Sequence, residues 1–356
     1  MDASTPLVRT VAQDSRRFRW AEFDLPTGAR AALFTIVPLL VGYAAGQVEA
    51  GVLATLGALN LFMAQHPGRA GDPPRWLVVA AFANAGAFGL GTLIDTAPYG
   101  VEVYLVGLLV WAFLAAGTSP GKSQIALIAA VMLVVPVGLP GGTALDAGPR
   151  ALYVLLGGSW GLLGALLPRW VPRLRTWTRS VTLPPPPPIH HGIRRAVFPG
   201  IVAATVAVGF YVGLRLDLVR DFWVMLTILV ALRPDLAATF STATMRILGT
   251  IAGAAIAYGL TVSVPEVPVL VVLLTVSATL TFATRTVNYI FYATSLTVFV
   301  IVLLELSFAG GPGVAVVRVV DTLIGGALAL ATGALLWVLY RAERRAGLAE
   351  PGSPSP

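Results

Sequence analysis

Asn288–Leu306 reads NYIFYATSLTVFVIVLLEL, and its first charged residue is Glu305. A spanning helix needs about 20 predominantly apolar residues, and this run supplies them. Wound at 1.5 Å per residue it rises roughly 28 Å, close to the thickness of a bilayer's hydrocarbon core. Outward from it the pattern repeats. Comparable runs are Arg30–Gly46, Glu49–Ala64, Arg75–Ile94, Val101–Thr118, Ser123–Leu139 and Arg150–Leu167 in the first half of the chain. Arg195–Val212, Asp221–Leu232, Thr244–Val262, Val267–Thr284 and Val314–Tyr340 follow in the second. Together they make about twelve spans. Asp221–Leu232 is too short to cross alone and must borrow flanking residues. The fold class read from this is an all-α polytopic membrane protein.

Composition agrees. Of 356 residues, 56% are hydrophobic and only 12% charged, against about 25% charged in an ordinary soluble chain. Cysteine is absent, which removes disulfides, thiolate metal sites, iron–sulfur clusters and a cysteine nucleophile together. No phosphate loop, His-Glu-x-x-His or Gly-x-Ser-x-Gly motif is present, so an intramembrane enzyme is poorly supported. His190 and His191 stand beside a proline run, where a solvated linker is the better reading than a metal site. The sequence calls for no cofactor and no metal. Met1–Pro26 carries four arginines but no early apolar core, so no cleavable signal peptide is expected.

The net charge of +7 would suggest nucleic acid in a soluble protein; in a membrane protein it measures the cytoplasmic loops. With the N-terminus inside, Arg150, Arg215, Arg220 and Arg318 fall outside, and the other 20 of the 24 Lys and Arg residues fall on the cytoplasmic side. The opposite orientation inverts that split. Both termini are therefore expected in the cytoplasm, and no nucleic-acid partner is implied.

The chain divides at Pro168–Ile193, a basic stretch containing Pro184–Pro188. Five consecutive prolines favour a stiff polyproline II spacer. The expected organisation is a cytoplasmic segment at 1–27, a six-helix unit at 28–168, a linker at 169–193, a second six-helix unit at 194–341 and a cytoplasmic tail at 342–356. The two units look like diverged copies. Arg30 and Arg195 open their first helices, Pro38 and Pro199 follow early in each, and Pro67 and Pro234 mark equivalent turns. Arg75 pairs with Arg246, Lys122 with Arg285, and Arg150…Gly157-Gly158 with Arg318…Gly325-Gly326. Six spans is an even number, so the copies enter the membrane in the same direction. The pseudo-twofold axis then runs along the membrane normal, as in parallel-repeat transporters.

Ionisable groups in or near lipid carry the functional signal, because burying a charge is costly without a partner. Lys122 and Arg285 occupy equivalent turns among small polar residues, with Asn288 beside the second. Two cations related by a pseudo-axis can ring an anion pathway. Arg246 stands two residues into its expected helix, facing headgroups or the pathway. Arg318 and Asp321 lie three apart and can neutralise each other; Asp321 and Glu305 are nevertheless the best candidates for a proton-carrying carboxylate. Pro38 and Pro199 are candidate helix kinks near a binding site. Gly249/Gly253 and Gly157/Gly161 read as close helix packing. Trp111, Trp160, Trp223 and Trp337 read as belt or lipid-facing residues.

The second half also resembles a known family. Asp221-Phe222-Trp223-Val224-Met225-Leu226-Thr227, Arg233-Pro234 and Arg246-Ile247-Leu248-Gly249-Thr250-Ile251-Ala252-Gly253 resemble the signature of the fusaric-acid-resistance (FUSC) family. Arg318–Gly326 resembles its closing helix. The resemblance spans most of Arg195–Tyr340 and, more weakly, Arg30–Leu167. It implies a bacterial inner-membrane protein of the aromatic acid exporter type, whose six-helix unit is similar to that of plant aluminium-activated malate transporters. Members are associated with efflux of aromatic carboxylic acids. Arg233 departs from the pattern, standing where an uncharged polar residue is expected. The function expected is export of small organic anions across the inner membrane, driven by the proton gradient. A passive anion channel and a non-transporting scaffold that recruits a partner through the polyproline run stay open beside it, as does association of two chains as a homo-oligomer.

Overall fold

The structure is a computed structural model that describes residues 18–65, 74–96, 107, 120–138, 142–171, 193–216, 218, 222–233, 236–264, 266–308 and 313–345. Among these, all regular structure is helical. In chain order the helices are α1 (Leu25–Ala44), α2 (Val48–Ala64), α3 (Pro74–Thr96), α4 (Pro120–Val134), α5 (Ala147–Trp170) and α6 (Ile193–Arg215). After them come α7 (Phe222–Ala231), α8 (Leu236–Ser263), α9 (Val267–Ala283), α10 (Tyr289–Phe308) and α11 (Gly313–Arg345). Apart from Gly107, the expected Val101–Thr118 span lies outside the described residues, as does the Pro184–Pro188 linker.

Seven of these helices are long and apolar enough to cross a membrane: α1, α3, α5, α6, α8, α10 and α11. The sequence reading of about twelve spans is thus met only in part. The remaining four helices are apolar but short. α7 has 10 residues and rises about 15 Å, half the hydrocarbon thickness. Its side chains explain how it persists: Phe222, Trp223, Val224, Met225, Thr227, Ile228 and Leu229 are all buried, so α7 is enclosed by other helices.

The distribution of side chains is that of a protein whose solvent is lipid. Val41, Phe82, Val272 and Val316 are each 62% exposed, while Thr35, Thr55, Asn84, Thr227, Arg246, Arg318 and Asp321 are buried. Apolar surface turned outward has no cost in hydrocarbon, whereas polar groups must find partners inside.

The helices pack in a recurring scheme. In the first half α1 packs on α2, α2 on α5, α3 on α5, and α3 on α4. In the second, α6 packs on α7, α7 on α11, α8 on α11, and α8 on α10. Small residues set the closest approaches. A Cβ on Gly157 would fall on the carbonyl of Ala54, seating α5 against α2, and one on Gly325 would come 2.6 Å from the carbonyl oxygen of Val224, seating α11 against α7. Gly249 and Gly253 bring α8 onto Ala293 and Thr294 of α10, as the small-residue spacing predicts.

The halves are joined through α1, which packs along α9. At Gly28 a Cβ would lie 2.8 Å from the Cβ of Ala283. Residues 18–24 continue the joint as a strap across the turn between α9 and α10. Arg19 N donates to Val287 O (3.1 Å) and Asp24 N to Ala283 O (3.3 Å), while the Thr286 hydroxyl donates to Glu22 O (3.3 Å). Phe18 and Trp20 close against Phe291. Asp24 then caps α1 by accepting from Thr27 N at 3.0 Å.

Candidate functional site

Helices α7, α8, α10 and α11 gather a file of cations and phenols inside the second half. Its first member owes its place to a helix start. From sequence, α8 is expected to begin at Thr244, leaving Arg246 at its mouth; the helix begins at Leu236 instead. The reason is Thr239, whose hydroxyl accepts from Arg233 N (2.9 Å) and donates to Arg233 O (3.0 Å). That closes the preceding turn and lets the polar run Thr239–Thr244 wind as helix. Arg246 therefore sits almost three turns in and is 3% exposed. Its Nη1 donates to the Tyr289 hydroxyl at 3.4 Å, and its Nε has no hydrogen-bond partner among the described residues.

Arg318, on α11, is equally buried. Its guanidinium carbon stands 3.7 Å from the ring centroid of Trp223, a cation–π stack in a desolvated setting. Nε and Nη1 of Arg318 have no hydrogen-bond partner among the described residues. Arg246, Asp321 and Tyr289 all lie within electrostatic range of it. Trp223 is thus not the belt or lipid-facing residue its sequence position suggests: it is 6% exposed because the short α7 is enclosed and its indole supports a buried cation.

Toward the α9–α10 turn the file continues through Tyr292, which feels Arg285, Tyr289 and Arg246 and whose hydroxyl lies 3.3 Å from Met63 Sδ. Arg285 itself reaches into the first half. Its Nη1 donates to Phe62 O (3.3 Å) and Gln65 O (2.9 Å), and its Nη2 to Met63 O (2.8 Å). These are carbonyls at the end of α2, where a helix runs out of its own donors, although Phe62 O also accepts from Gln65 N at 3.3 Å. Asn288 is buried and its Oδ1 accepts from Ile290 N at 2.8 Å, opening α10.

Of the residues singled out from sequence, the structure brings Arg246, Asn288 and Arg285 to one end of this file and places Asp321 beside Arg318. Glu305 is half-buried near the far end of α10. The side chain of Lys122 lies outside the described residues, although its backbone opens α4. Pro38 and Pro199 lie within α1 and α6, helices that run through them. Tyr289, Tyr292 and Trp223 were not singled out for a site. The signal for the tyrosines is their spacing of three on one face of α10, directly after the Arg285–Asn288 turn.

The arginines that the sequence comparison of the halves pairs with these, Arg150 and Arg75, sit differently. Arg150 is buried but paired: its Nε and Nη2 lie 3.0 and 2.9 Å from Glu49 Oε1. Arg75, at the start of α3, is exposed.

Chemically, the second-half group presents two buried guanidinium ions, one buried carboxylate and N–H donors with no acceptor among the described residues. Such donors in a low-dielectric interior favour an anion. Comparison with known proteins points to the same segment. The family described as "Fusaric acid resistance protein-like" matches residues 203–332. The chain is 36% identical to the inner membrane protein YccS of Escherichia coli K12 over 118 residues, which are 33% of this chain and 16% of YccS. It is 30% identical over 162 residues to an uncharacterised protein, ORF2, of Neisseria gonorrhoeae, covering 45% of this chain and 37% of that protein. The chain thus spans well under half the length of these relatives. No solved structure matches it. The matched segment contains Trp223, Arg246, Tyr289, Arg318 and Asp321, and it is this segment that is similar to the fusaric acid resistance protein-like family and to an inner membrane protein.

Proposed function

We propose that the protein is an inner-membrane transporter that exports organic anions, with aromatic carboxylates as substrates and the proton gradient as driving force. The observation that carries this reading is the buried file of Arg246 and Arg318 in a lipid-facing bundle. Intramembrane cations are costly and mark ion or substrate pathways. In this reading Lys122 and Arg285 attract the anion at the cytoplasmic side, Arg246 and Asn288 line its way, and Asp321 or Glu305 couples protons. Arg285 also braces α2, so its part in passage and its part in assembly must be separated by experiment.

The proposed architecture is twelve spans in two parallel six-helix units with both termini in the cytoplasm. The parallel packing schemes of the two halves support it, as does the positive-inside distribution of arginines. The described short helices α2, α4, α7 and α9 take the places of spans within that scheme.

The test is reconstitution of the full chain in proteoliposomes with radiolabelled benzoate. An imposed pH gradient is expected to change benzoate flux, and Asp321→Asn or Glu305→Gln to abolish that response. Flux indifferent to the gradient, and unchanged in Arg246→Gln, refutes the proposal.

A further inference from the structure

We infer that the chain holds one anion-binding site, located between Arg246 and Arg318 in the second unit, that it takes a singly charged carboxylate, and that the first unit has no equivalent. The inference rests on the transport reading and narrows it to one place.

Three facts carry the location. Both guanidinium groups are 97% withdrawn from solvent, being 3% exposed. Nε of Arg246 and both Nε and Nη1 of Arg318 lack acceptors among the described residues. The two groups feel each other electrostatically and their helices touch, a Cβ on Gly326 falling 2.8 Å from Ile247 Cδ1, so they share one interior region in which no described residue accepts from those donors. An arrangement of like charges with unfilled donors is stable only if something acidic completes it. Asp321 supplies one negative charge from the same helix face as Arg318. With Asp321 ionised, the group carries a net +1.

That balance selects the ligand. A singly charged anion neutralises the group, whereas a dianion overshoots it. A carboxylate has two oxygens with about four acceptor positions, enough to engage donors from two separate side chains at once. The stacking of Arg318 on Trp223 fixes the guanidinium plane, so the donors are held in place before the ligand arrives.

The asymmetry follows from the counterparts. Where Arg318 has Trp223 beneath it, Arg150 has Glu49, which takes both Nε and Nη2. Where Arg246 is enclosed by α8 and α10, its sequence counterpart Arg75 is exposed at a helix start. Among the described residues, the first unit therefore offers no second pair of guanidinium groups buried like Arg246 and Arg318. On this inference two similar packing schemes hold one site.

Binding and flux test this separately. In equilibrium dialysis of the detergent-purified full chain, radiolabelled benzoate is expected to saturate at one per chain. Arg246→Gln and Arg318→Gln should each weaken binding about tenfold or more, the consequence of losing one charge-assisted partner. Arg150→Gln should leave the affinity unchanged. If a glutamine variant fails to fold, Arg246→Lys and Arg318→Lys retain the charge and are expected to bind more weakly than wild type. Two benzoates per chain, no saturable binding by the wild type, or wild-type affinity in the Arg246 and Arg318 variants overturns the site. Chloride competing as well as benzoate overturns the carboxylate assignment. The transport reading fails independently: stoichiometric binding in dialysis without benzoate flux in proteoliposomes refutes transport and leaves the site standing. Benzoate flux that survives in both arginine variants does the reverse.

Discussion

Replacing Arg285 with alanine tests whether the α9–α10 turn braces the end of α2. Three donor contacts run from its guanidinium to Phe62, Met63 and Gln65 carbonyls. Hydrogen bonds involving a charged group contribute about 1.5–3 kcal/mol each, so the three set an upper bound well above the net effect. Arg285 is only half-buried, and carbonyls at a helix end accept water when their partner leaves. The loss should therefore be about 2–3 kcal/mol, or roughly a 3–4 °C fall in Tm. Thiol-reactive dyes cannot report it, because the chain has no cysteine, but its 8 tryptophans give an intrinsic fluorescence signal in detergent. Arg285→Lys, keeping the charge but fewer donors, should fall between alanine and wild type. If the alanine variant unfolds at the wild-type temperature, the brace contributes nothing and the reasoning is wrong. If it is also defective in anion flux at that unchanged stability, Arg285 serves passage alone.

Other consequences are as concrete. Gly157→Ala places a methyl group on the Ala54 carbonyl and should cost about 3 kcal/mol or prevent accumulation of folded protein. Gly86→Ala, in α3 with nothing within 4 Å of the added carbon, should leave the melting temperature unchanged or raise it by up to about 1 kcal/mol of stability. Thr239→Val removes the hydroxyl that serves both backbone groups of Arg233 and should lower stability by about 1–2 kcal/mol in the same assay, with Thr239→Ser close to wild type. Glu49→Gln breaks the charge pairing with Arg150, but the Glu49 side chain is 52% exposed, so solvent screening limits the loss to about 1 kcal/mol or less in thermal unfolding.

Much of the fold was legible because lipid demands long apolar runs, and those runs can be read without knowing their neighbours. Val267–Thr284 and Arg75–Ile94 match α9 and α3 to within about two residues at each end. The failures have particular causes. Thr239 and Ser241 look like a polar loop, yet both are buried, the Thr239 hydroxyl bonds the backbone of Arg233, and the helix starts eight residues early. That shift converts Arg246 from a headgroup neighbour into a buried charge. Trp223 looks like a belt residue because belts are where membrane tryptophans collect; its role depends on Arg318, which is 95 positions away in sequence. That Arg318 and Asp321 lie within electrostatic range was visible from their spacing, whereas the approach of Arg246 to Arg318 depends on how α8 packs on α11. The cross-half reach of Arg285 to α2 has no local signature at all.

The strap at residues 18–24 and the packing of α1 along α9 bear on how the chain is made. Helix α1 leaves the ribosome well before its partner surface at Thr279 and Ala283, which follows it by more than two hundred positions. Until then the flank of α1 that packs on α9 lacks that partner. Closing the joint requires bringing together residues more than two hundred positions apart, the slow class of contact. Expressing the two halves as separate polypeptides should therefore yield each in an unfinished, protease-sensitive state, and coexpression should restore resistance only where α1 and α9 meet in the same membrane. The joint makes assembly an all-or-none event for the whole chain rather than two independent foldings.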